Sequence, residues 1–101
     1  AILAVDGVDG VFIGPYDLSG SCGVPGQTGH EQVLAGCRRV LDACKAAGKS
    51  AGLHVVIPER DAVGRAVEDG FTFLALGVDA VFLRRGAADA LTAPANHNRI
   101  R

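Results

Sequence analysis

Two rhythms of apolar residues alternate along the chain. Short, nearly continuous apolar runs at Gly10–Ile13, Ala51–Val56 and Phe71–Leu76 have the length of strands buried in a parallel sheet. Between and after them, apolar residues return every three or four positions. The clearest such stretch runs from His30 to Ala47. There Val33, Leu34, Cys37, Val40, Leu41, Cys44 and Ala47 share one helical face, while Glu31, Gln32, Arg38, Arg39, Asp42 and Lys45 occupy the other. Gly48 supplies the stop, with Lys45 and Lys49 near the negative end of the helix dipole. A second helix opens at Pro58 with Glu59 and Asp61 near its start, buries Ala62, Val63, Ala66 and Val67, and ends at Gly70. A third spans about Ala80–Leu91 with Asp79 as its N-cap. Ala1–Val5 reads as the last turn of a helix, Gly14–Gly29 as a long loop, and Thr92–Arg101 as a polar tail.

Strands separated in this way by helices run parallel, so the fold class is α/β. The spacing suits a doubly wound sheet or part of a barrel. Three strands cannot close a barrel, and they would leave two apolar edges open to aggregation. The chain also begins without Met. The expectation is a piece of a larger domain.

Composition narrows the picture in three ways. Hydrophobic residues make up 49% of the chain but aromatic ones only 5%, so the core must be built from Val, Leu, Ile and Ala. A net charge of −1 gives no reason to expect nucleic acid or an anionic membrane as partner. Cys22, Cys37 and Cys44 form no metal-ligand spacing. Cys37 and Cys44 lie on one predicted helix, where a rise of roughly 1.5 Å per residue separates their Cα atoms by about 10 Å. That is too far for a disulfide, so all three read as small buried thiols of a reducing compartment, the cytoplasm by default.

Candidate chemistry gathers where the first strand stops. Val11-Phe12-Ile13 gives way to Gly14-Pro15-Tyr16-Asp17-Leu18-Ser19-Gly20-Ser21, and α/β proteins keep their polar groups at such carboxyl ends. Asp17 has two readings, an Asx-type turn residue or a ligand for a hard cation. Successive N–H groups after a strand end can cradle an anion. A nucleotide site is disfavoured, because neither the dinucleotide fingerprint nor a Gly-Lys-Ser/Thr pair is present. Ser19 and Ser21 lack a nucleophile-elbow context and read as loop hydrogen-bonders. On the second strand, Leu53 and His54 alternate, so only one of them can face an active site.

The run Gly14-Pro15-Tyr16-Asp17-Leu18-Ser19, preceded by Val8-Asp9-Gly10-Val11-Phe12-Ile13, resembles the signature of the HpcH/HpaI aldolase family. Ala46-Ala47-Gly48-Lys49, Gly52-Leu53-His54-Val55-Val56 and Phe73-Leu74-Ala75-Leu76-Gly77-Val78-Asp79 follow in matching order. The helix start His30-Glu31-Gln32-Val33 departs from the family's usual His-Pro-Glu-Val, and Cys22 takes a place more often held by an aliphatic residue. The resemblance implies a TIM barrel of about 250 residues, of which residues 1–91 would be the C-terminal part, strands six to eight with their helices. It also implies a divalent-metal-dependent (Mg²⁺ or Mn²⁺) lyase joining or cleaving pyruvate or another 2-oxo acid and an aldehyde. A homo-oligomeric parent is implied as well. Asp17 would bind the metal; Gly14, Tyr16, Asp17, Leu53 and His54 would contact substrate, the Tyr16 and Asp17 amides holding the oxo acid carboxylate. The partner glutamate, the histidine base and an arginine would lie outside these residues, so the chain alone is expected to be inactive. A citrate-lyase-like branch acting on CoA thioesters and a non-catalytic truncated product stand as alternatives.

Overall fold

Three short apolar runs pair side by side in the order in which the chain makes them. The computed structural model describes residues 1–95. Strands β1 (Gly10–Ile13), β2 (Ser50–Val55) and β3 (Phe73–Leu76) form one parallel sheet with β2 in the middle. Its register sets Ile13 beside Leu53 and His54 beside Ala75. Helices α1 (Pro15–Ser21), α2 (Glu31–Ala47), α3 (Arg60–Asp69) and α4 (Asp79–Ala95) follow the strands, after a short 3-10 turn at Ile2–Ala4.

The long helix is the one the periodicity predicts. His30 caps it, its Nδ1 accepting the Gln32 N–H at 3.2 Å, and Gly48 ends it in the left-handed region at φ 67°. Val33, Leu41 and Cys44 are buried, whereas Leu34, read as part of the same face, is more than half exposed. Leu41 and Cys44 share the core with Ile13, Ala51, Val55, Ala66 and Phe71, with Val11, Leu53 and Leu74 packed around them. Every strand residue in this core lies on one face of the sheet. Burial of each large member contributes about 1.5–3 kcal/mol.

The opposite face carries Phe12, Gly52, His54 and Phe73. Phe12 and Phe73 are about half exposed, so β2 is not buried on both faces by the described residues, as its sequence led one to expect. Gly52 lets the two phenyl rings meet across the middle strand, with centroids 5.2 Å apart. A Cβ there would lie 2.4 Å from Phe73 and 2.8 Å from Phe12.

Several boundaries move. Gly14–Gly29 is not one long loop, because α1 occupies its first half. β3 begins at Phe73 rather than Phe71, although Phe71 is buried in the core. α3 starts at Arg60 rather than Pro58, and it packs through Ala62 and Ala66. Val67, about 100° further round the helix, is 59% exposed rather than buried. Asp79 starts α4, its side chain accepting the Ala80 N–H at 2.8 Å. That helix continues through Thr92 to Ala95, four residues past the expected end; the rest of the expected tail lies outside the described residues. α4 leans on the body near its start, where the Phe82 ring covers Gly77 and Arg85 lies 3.9 Å from Glu59. The radius of gyration is 18.0 Å, against about 13 Å for a compact chain of this length. No described helix is long and apolar enough to cross a membrane.

The packing predicts opposite signs for two glycine substitutions. Gly52→Ala should cost about 1–3 kcal/mol by forcing the rings apart. Gly64→Ala, on α3 with open space around it, should stabilise by up to about 1 kcal/mol. Urea midpoints of the two variants measure both.

Candidate functional site

The end of β1 turns directly into α1, and the residues dictate how. Gly14 is extended (φ −98°, ψ 104°) and serves as N-cap; Pro15 follows at the first helical position. Proline suits that place because its fixed φ is helical and its missing N–H has no acceptor to lose. The first intrahelical bond is Leu18 N–H to the Gly14 carbonyl at 3.0 Å. The Tyr16 and Asp17 N–H groups therefore belong to the free first turn.

Asp17 folds back over the strand end. A Cβ built on Gly14 would sit 2.9 Å from Asp17 Oδ2, so glycine leaves the carboxylate room to rest beside the strand end. Asp17 is exposed. Among the described residues its carboxylate has no ion-pair partner.

Ser19 holds this turn in place. It is fully buried; its hydroxyl donates to the Tyr16 carbonyl at 2.6 Å and accepts the Gly26 N–H at 2.9 Å. Val24 N–H bonds the Ser19 carbonyl at 2.9 Å, tying the return loop to the same residue. Leu18 seats α1 on α2 by packing over Gly36, where a Cβ would come within 3.2 Å. Ser19 is thus a structural hydrogen-bonder, as its sequence context indicates. Ser21 is exposed at the last residue of α1.

Leu53 and His54 part company. Leu53 packs with the core beneath the helices, and His54 stands on the opposite face. The His54 ring stacks on Phe12 with centroids 6.4 Å apart, and its Nε2 lies 2.7 Å from the Gly77 carbonyl. A carbonyl only accepts, so Nε2 carries the hydrogen and Nδ1 is the acceptor of the neutral ring.

A cleft of about 320 Å³ lies at the carboxyl end of β2, bordered by Pro15, Tyr16, Cys37, Leu53, His54 and Arg65 among others. It brings together Tyr16, Leu53 and His54 of the expected site. Gly14 and Asp17 do not border it; they sit at the end of the neighbouring strand. Arg65 and Asp69 of α3 also reach the cleft, which their positions on a polar helical face did not signal.

A family model described as HpcH/HpaI aldolase/citrate lyase matches residues 1–85. The chain belongs to this family. It is 45% identical over 93 residues to a pyruvate aldolase of Rhizobium etli, covering 92% of this chain and 35% of that protein. A hydroxypyruvate/pyruvate aldolase of Chromohalobacter salexigens is 41% identical over 92 residues, covering 91% and 35% respectively. The crystal structure of a family protein from Burkholderia cenocepacia superposes with a TM-score of 0.85 at 34% identity, over 91% of this chain and 35% of that one. The chain thus spans about a third of the length of the relatives it matches.

HpcH/HpaI proteins are generally divalent-metal-dependent, and Asp17 fits one place in such a site. Its carboxylate is a hard oxygen donor, exposed, and given room by Gly14. A Mg²⁺-type ion keeps several waters or substrate oxygens and needs only one or two protein carboxylates. Among the described residues there is no cluster of three potential metal ligands.

Cys37, on the cleft wall, has its thiol pKa pushed up, chiefly by burial and further by Asp69 and Cys22. The folded state therefore holds this proton more tightly than the unfolded chain does. The resulting stability is complete below the unfolded thiol's pKa and is lost as pH rises from about 8.5 through the folded value. Urea midpoints across alkaline pH should fall more steeply for the native chain than for Cys37→Ser; equal slopes would contradict the assignment.

Proposed function

We propose that this chain is the C-terminal third of a (β/α)8 barrel in a divalent-metal-dependent aldolase that makes or breaks a C–C bond of a 2-oxo acid such as pyruvate. The observation that carries the reading is the β1–α1 junction. It sets two free amides and a carboxylate together at the carboxyl end of a parallel strand, where barrel enzymes keep their chemistry. The named activities of the Rhizobium etli and Chromohalobacter salexigens relatives support it. The barrel is supported by consecutive parallel strands covered by helices on one face, and by the one-third coverage of the relatives. Residues 1–91 then form part of one barrel domain. Free thiols at Cys22, Cys37 and Cys44 fit a reducing compartment such as the cytoplasm.

In this reading the Tyr16 and Asp17 N–H groups donate to the carboxylate of the oxo acid and fix its orientation. Pro15 shapes the turn without competing as a donor, and Gly14 leaves the approach open. Asp17 holds the cation, which when bound supplies Lewis-acid polarisation of the oxo group. As the C–C bond breaks, its electron pair moves toward the oxo oxygen, while the junction amides keep the carboxylate, and with it the reacting bond, in one orientation. Tyr16 and His54 line the adjoining cleft, where the aldehyde portion leaves, and Leu53 supports its wall. The base and the arginine come from elsewhere in the barrel.

A second reading, a lyase of CoA thioesters, is favoured by the citrate lyase half of the family description. Comparing pyruvate with an acyl-CoA as substrate separates the two. Asp17→Asn in the intact protein should lower lyase activity about 100-fold or more, roughly 2.7 kcal/mol at the barrier, and weaken Mn²⁺ binding. Retention of both would refute the role given to Asp17. The 101-residue chain by itself should release no pyruvate from a 4-hydroxy-2-oxo acid, with or without Mn²⁺.

A further inference from the structure

We infer that Cys22 and Cys37 form a redox pair, whose reversible disulfide staples the end of α1 to the middle of α2. The pairing goes beyond the aldolase reading and does not depend on it. Packing brings the two thiols to one place. Cys22 continues the last turn of α1, its N–H donating to the Leu18 carbonyl at 3.0 Å. Four residues of helix turn the chain by about 400°, so Cys22 and Leu18 share the face that meets α2. Leu18 rests on Gly36 of that helix, where a Cβ would come within 3.2 Å of it, and Cys37 is the next residue. Both thiols are free and only partly buried. Burial chiefly, then Asp69 and Cys22, push the Cys37 thiol up, so Cys22 is near enough for its charge to act on Cys37.

The third thiol is placed differently. Cys44 is 1% exposed, and its Cα lies about 10 Å along α2 from that of Cys37, beyond disulfide reach. A Cys22–Cys37 bridge instead closes the segment that runs from α1 through Gly23, Gly26 and Gly29 into α2. Such a bridge acts by removing the freedom of the opened chain. Glutathione disulfide serves as the oxidant. The Cys22 thiolate attacks one of its sulfurs and expels a glutathione thiolate; Cys37, once deprotonated, attacks the Cys22 sulfur of the mixed disulfide and expels the second. The protein gives up two protons and two electrons, and the oxidant becomes two glutathiones. Cys37 is the second nucleophile because its proton is held more tightly. Transient, redox-sensing disulfides are the kind that occur in reducing compartments.

The test exposes the intact protein to glutathione disulfide, under native conditions and in urea, and maps the resulting disulfides by mass spectrometry of its peptides. Under native conditions the Cys22–Cys37 bridge should form and Cys44 should stay unmodified. In urea the shorter Cys37–Cys44 loop should close in preference, so the native pairing reports packing rather than distance along the chain. Hydrogen exchange of the Leu18 to Cys22 amides should slow about tenfold on oxidation and return to its original rate with dithiothreitol. In Cys22→Ser the same treatment should leave that exchange unchanged. Glutathione adducts without a bridge, native pairing of Cys37 with Cys44, no reaction at all, or a bridge that leaves α1 exchange unaltered would each overturn the inference.

Discussion

A parallel sheet is stable when apolar groups cover both of its faces, and the described residues cover one. α2 and α3 take the face that carries Val11, Ile13, Ala51, Leu53, Val55 and Leu74, and the core forms there. The other face presents the Phe12–Phe73 contact across Gly52, with His54 beside it. This division governs where everything else can sit. Packing residues are committed to the helix side, which leaves the uncovered face and the carboxyl strand ends for groups that meet small molecules. It also explains why alternate residues of one strand, Leu53 and His54, serve different ends.

The β1–α1 junction depends on that sheet and adds its own local logic. Glycine, proline and an acid in succession stop the strand, start a helix and fold the carboxylate back onto the strand end. Seven residues of helix are too few to stand alone. Ser19 and Leu18 hold α1 in place, one by two buried hydrogen bonds to Tyr16 and Gly26, the other by packing on Gly36 of α2. The free amides of Tyr16 and Asp17 are therefore fixed by contacts that span three, seven and eighteen residues of sequence. Preorganisation of this kind is what lets backbone donors bind and orient a carboxylate without first rearranging.

Much of the fold was legible in the residues because it is periodic. The repeat from Val33 to Cys44 and the stops at Gly48 and Gly70 mark α2 and the end of α3 to within a residue or two. α1 was not legible as a helix, since Gly14, Pro15 and Gly20 read as loop punctuation and its order comes from non-local partners. Asp17 stood out as an acid at a strand end, yet its fold over Gly14 needed coordinates. The alternation of Leu53 and His54 was plain, but which of them shares a face with Phe12 is set by register, with Gly52 opposite both Phe12 and Phe73. Gly77 could not be recognised as the acceptor for His54, because that bond spans a whole strand–helix–strand unit.

The β1–α1 junction is the proposed seat of the oxo acid. The most direct measurement is a crystal structure of the intact protein with Mn²⁺ and oxalate, an unreactive stand-in for the oxo acid. The account predicts oxalate oxygens at about 2.7–3.2 Å from the Tyr16 and Asp17 backbone nitrogens, with the Asp17 carboxylate on the metal. Oxalate seated between α2 and α3, or bound with those two amides facing water, would contradict it.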